Sequence, residues 1–74
     1  MIPSENTQDK LDFIQYQITQ LKDLRIDNLC CILATLYEIQ PESARQADSA
    51  IRYRRILVQR LTEIIIFTDV VAYN

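Results

Sequence analysis

Apolar residues recur along the first half of the chain at Leu11, Ile14, Ile18, Leu21, Leu29, Ile32, Leu36 and Ile39. Intervals of three and four mark one face of a helix, and Phe13, Leu24 and Leu33 widen the stripe. Between Leu21 and Leu29 the period survives only with Arg25 on the face. The pattern predicts one helix over 9–40, continuous or merely kinked, about 48 Å long at ~1.5 Å per residue. The same gap admits another reading, two helices over 9–22 and 27–40, with Asp23 or Asp27 capping the second. Neither glycine nor proline stands there to enforce a break, which favours the single helix.

Gln40-Pro41-Glu42-Ser43 reads as the one clear turn, because proline disfavours the α conformation in the residue before it. Pro41 also fits the first turn of a following helix, expected over 42–67. The seam of that helix reads Ala47, Ala50, Ile51, Leu57, Val58, Leu61, Ile64 and Ile65. Small alanines at its start allow close helix approach, and bulky aliphatics follow. From Ile64 to Val71 the chain is apolar all round and rich in β-branched residues. A helix there must be covered on several sides. A short strand competes on propensity, but the chain offers it no second strand to pair with. Residues 1–8 read as a flexible leader, with Thr7 or Asp9 as the first N-cap, and 9–74 as a single helical domain. The expected fold is all-α: a hairpin of two long amphipathic helices, or a three-helix bundle if the chain breaks near Asp23–Asn28.

Composition sharpens this picture. The chain has 74 residues, 49% of them hydrophobic, and no glycine. A domain so short hides only about 60% of the surface its unfolded chain exposes. Two helices packed along one seam leave the far side of Ile64–Val71 wet, so the chain is expected to need a partner. Net charge is −2. Residues 1–41 are acidic and 45–60 strongly basic, so antiparallel helices would meet with opposite charge. Cys30 and Cys31 are adjacent and point about 100° apart on a helix. They read as reduced, buried packing residues, which implies the cytoplasm. No apolar run spans a bilayer, and the polar start MIPSENTQDK is not a signal peptide.

Catalytic chemistry finds little to work with. The absence of histidine removes the commonest general base and metal ligand. Cys30–Cys31 lacks zinc-hook spacing. Asp9 with Asp12, and Asp23 with Asp27, share helix faces but read as solvated charge. No enzyme activity, cofactor, metal or small-molecule substrate is expected. Arg52, Arg54 and Arg55, flanking Tyr53, form the sharpest local feature. They are candidates for contact with an anion or an acidic partner. On a helix they fan around the circumference, and the net acidic chain argues against nucleic acid. Tyr16, Tyr37, Tyr53 and Tyr73 serve equally as interface anchors or as edges of a core. The residues expected to bind a protein partner are Ile51, Leu57, Val58, Leu61, Ile64, Ile65 and Phe67.

Pro41 to Phe67, PESARQADSAIRYRRILVQRLTEIIIF, is a polar turn, a glutamine-containing polar segment and an aliphatic run. Behind a long amphipathic helix, this arrangement resembles the smallest co-chaperones of type III secretion needle subunits. The resemblance implies a helical hairpin that joins a larger chaperone of tetratricopeptide-like repeats. In that family the pair holds the needle subunit as a monomer in the bacterial cytoplasm. Neither the arginine cluster nor the adjacent cysteines belongs to the family's pattern. The C-terminal helix is also similar to those of small enterobacterial connector proteins linked to biofilm and acid resistance, which are dimeric regulators. That likeness implies the alternative function, a self-associating helical regulator, to which the Arg52–Arg55 cluster would add weak nucleic-acid contact.

Overall fold

The structure, a computed structural model, describes residues 6–73, with side chains as far as Thr68. The described residues form three α-helices: α1 (Thr7–Thr19), α2 (Ile26–Glu38) and α3 (Ala44–Tyr73), with a 3-10 turn at Leu21–Asp23. The start of α1 is tied to the end of α2 and the start of α3. Thr7 Oγ1 donates to the Gln40 carbonyl at 3.3 Å, and Gln46 Nε2 donates to Gln8 Oε1 at 3.2 Å. α2 therefore runs antiparallel to both of its neighbours.

The single helix expected over 9–40 is interrupted, and Arg25 supplies the physical reason. A continuous helix would place its guanidinium on the apolar face, where burial without a partner is costly. The chain instead leaves helical geometry at Gln20 and runs extended through Leu24 and Arg25. Arg25 stays exposed, while Leu21 and Leu24 pack against the core. Leu24 and Leu29 both join that core, at the two positions of a hydrophobic staple. The N-cap of α2 is Arg25 rather than Asp23 or Asp27, although Asp27 Oδ1 accepts from the Asn28 N–H in the first turn at 3.0 Å. Asn28, in its first turn, reaches back with Oδ1 to accept from the Arg25 backbone N–H at 3.3 Å.

The other ends follow local chemistry. Asn6 Oδ1 accepts from the Asp9 N–H at 2.7 Å, so Asn6 caps α1, and Thr7 and Gln8 lie inside the helix rather than in a leader. Ser43 caps α3, its Oγ accepting from the Gln46 N–H at 3.2 Å. Gln46 Oε1 accepts in turn from the N–H of Glu42, the residue before the cap, at 2.8 Å, so the Gln46 side chain also fixes the entry to α3. Pro41 lies before this cap and outside the helix. Among the described residues no φ is positive, so the connections need no glycine.

The core consists of Leu11, Ile14, Leu29, Ile32, Leu33, Leu36, Ile39 and Leu57. Ile18, Leu21, Leu24, Ala50, Tyr53, Leu61 and Ile64 pack around it. The apolar positions Leu11, Ile14, Ile18, Leu21, Leu29, Ile32, Leu36 and Ile39 of the predicted stripe thus face inward, whereas Arg25 and Phe13 do not. Cys30 and Cys31 are free and exposed, not buried. At Ile64–Val71 the backbone is helical, so the strand reading fails. The side chains of Val70, Val71 and Tyr73 lie outside the described residues.

Candidate functional site

α3 is longer than the core it packs against. Its core-facing residues run from Ala50 to Ile64, about 21 Å of helix, and at least nine further residues continue past them. The radius of gyration is 14.1 Å, against about 11 Å for a compact chain of this length. Ile65, Ile66 and Phe67 stand on this projecting end and are exposed.

The seven residues predicted to bind a partner fall into two groups. Leu57 is fully buried, and Leu61 and Ile64 pack on the core, so these three hold the protein's own fold. Ile51, Val58, Ile65 and Phe67 are 43%, 41%, 45% and 69% exposed. The division follows from three apolar doublets spaced seven apart: Ala50-Ile51, Leu57-Val58 and Ile64-Ile65. Adjacent helical residues point about 100° apart. The first member of each doublet packs inward and the second is turned away, so Ile51, Val58 and Ile65 form a separate outer stripe. The sequence pattern joins the two stripes into one seam because both are apolar.

Tyr37, on α2, borders this stripe and is 66% exposed. It lines one shallow groove with Arg54, Arg55 and Val58, and a second with Ile51, Arg54 and Ile39. Nothing local in the sequence pairs Tyr37 with α3. The seven-residue spacing of the doublets was a signal that two stripes exist, though not of which one faces inward.

The arginines do not converge. Arg52 lies with Arg45, Gln8, Gln15 and Tyr53 in a polar groove between α1 and α3, while Arg54 and Arg55 line the α2 side. Arg52 Nε pairs with Asp48 Oδ2 at 3.3 Å, and Arg60 Nη1 lies 3.9 Å from Glu63 Oε1. Both find acidic partners on α3 itself rather than on the acidic N-terminal segment. Comparison with known proteins finds no family model, curated protein or solved structure that matches the chain.

A second apolar site lies across the molecule, where Phe13 and Gln17 of α1 meet Asn28, Cys31, Ile32 and Thr35 of α2. Polar residues interrupt it. Tyr16 is exposed on α1 near Gln20, whose Nε2 donates to its hydroxyl at 2.9 Å. Tyr53 packs on the core. Among the described residues no cluster of histidine, cysteine or carboxylate side chains is arranged to hold a metal, and no helix is long and apolar enough to cross a membrane.

Proposed function

We propose that the protein is a non-catalytic helical module that binds another helical polypeptide along the outer face of α3. One observation carries this reading: Ile51, Val58 and Ile65 form an exposed apolar stripe at seven-residue spacing along α3. Exposed apolar side chains scattered singly need no explanation, but an aligned row on one helix face matches the anchors by which helices pack on one another. The absence of histidine and glycine supports a binding role over a catalytic one.

The resemblance of Pro41–Phe67 to needle-subunit co-chaperones supplies the specific role within this reading. The module would join a larger helical-repeat chaperone in the bacterial cytoplasm and help keep a secreted needle subunit soluble. The self-associating regulator is the second reading, favoured by the symmetry of the outer stripe. Its nucleic-acid component draws no support from the arginines, because Arg52 lines a different groove from Arg54 and Arg55.

The test is affinity purification from the native cell with two baits, the wild-type chain and Ile65→Glu. A helical partner retained by the first and lost by the second is the expected result. Equal retention by both baits would place the binding surface elsewhere.

A further inference from the structure

We infer that the outer stripe of α3 is a two-fold, antiparallel interface with a second copy of this chain, centred on Val58. This rests on the reading that the outer face of α3 binds a helix, and it names the helix. The stripe is symmetric: Ile51 and Ile65 each lie seven residues from Val58. A two-fold interface requires a patch complementary to itself. With two α3 helices antiparallel about Val58, each Ile51 meets the partner's Ile65, and the two Val58 side chains meet on the axis. The partner's Ile65 then arrives beside Tyr37, which shares a groove with Ile51.

Charge selects the antiparallel direction. Arg54 and Arg55 flank the stripe four and three residues before Val58. Parallel pairing at the same register would set each arginine against its own copy. Antiparallel pairing separates the Arg54 side chains by about 12 Å along the axis and the Arg55 side chains by about 9 Å, near or beyond the screening length at physiological salt. Each then lies beside the partner's Leu61 and Thr62, where its aliphatic stem covers apolar surface.

Area supports the same occupant. The chain exposes 5759 Å², against roughly 4,700 Å² for a compact protein of 8.7 kDa. The excess, about 1,000 Å², is close to the ~800 Å² that each partner contributes to a standard interface. In this pairing the projecting end of one α3, from Ile66 onward, lies along the first turns of the other.

Light scattering on the purified full chain should give twice the 8.7 kDa chain mass, reverting to the monomer mass in Ile65→Glu. Phe13→Glu, at an exposed apolar residue on α1 away from the stripe, should leave the dimer intact. Circular dichroism should show unchanged helicity in both variants. Direction is read by oxidative cross-linking in a Cys30→Ser, Cys31→Ser background. Val58→Cys should cross-link to itself. Ile51→Cys and Ile65→Cys should cross-link with each other when mixed and weakly when alone. A wild-type monomer at every concentration overturns the inference, as does efficient self-linkage of Ile51→Cys alone. If the chain is monomeric but Ile65→Glu still abolishes capture of a foreign helical protein, only the choice of partner falls. If Ile65→Glu changes neither mass nor capture, the binding reading falls with it.

Discussion

Leu57 and Val58 are neighbours of similar hydrophobicity with opposite duties, and substitution should separate them. Leu57 is buried among three helices, so Leu57→Ala removes packed methyl groups and leaves a cavity. The expected cost is about 2–5 kcal/mol in urea unfolding. Val58→Ala, on the outer face, should cost well under about 1 kcal/mol in the monomer while weakening association. Arg60 offers a contrary case. Its Nε is buried without a hydrogen-bond partner, and its guanidinium reaches only the exposed Glu63 at 3.9 Å. A buried donor left unmade costs about 1–3 kcal/mol. Arg60→Met keeps the aliphatic stem and removes the orphan, so the urea midpoint should hold or rise; a fall of more than about 1 kcal/mol would show that the guanidinium is needed. The Asp48–Arg52 pair is exposed on both sides and contributes little by comparison.

At the scale of elements, the break between α1 and α2 decides the architecture. The segment keeps its apolar period through Arg25, so periodicity alone reads it as one helix. Ile26 tests the boundary. As the first residue of α2 it has no intrahelical use for its N–H, and Arg25 before it is already extended (φ −94°, ψ 170°). Both conditions suit proline at that position. Ile26→Pro should therefore retain helicity and lose under about 1 kcal/mol, whereas proline inside a continuous helix costs about 3 kcal/mol. A large drop in ellipticity would mean that the helix runs through. α3 shows the opposite relation between pattern and form. Its Ile64–Val71 run has strand-like composition, yet it continues a helix already capped at Ser43 and packed through Leu57 and Leu61. Propagation along an established helix outweighs local β preference.

For the whole molecule, the elongated shape follows from one long helix packed against two short ones. If the outer face of α3 is completed by a second copy, folding and association are linked by mass action. The thermal midpoint should then rise with protein concentration for the wild type and stay constant for Ile65→Glu. A concentration-independent midpoint in both would identify the monomer as the complete folding unit. The same face would serve a foreign helix, so a partner of the co-chaperone kind would compete with the second copy and deplete the homodimer.

Much was legible in the sequence: helical class, the inward stripe from Leu11 to Ile39, the turn at Gln40–Ser43, and an apolar excess toward the C-terminus. Each is a property of spacing or composition, which local physics reads without knowing what lies nearby. Tertiary structure decided the rest. It broke the first segment at Arg25, because a buried guanidinium costs more than a few lost helical residues. It left Cys30 and Cys31 at the surface, because Leu29, Ile32 and Leu33 already fill the inward face of α2. It also divided Ile51, Val58 and Ile65 from Ala50, Leu57 and Ile64. Two apolar stripes on one helix look alike until other helices cover one of them, and here α1 and α2 cover only the first.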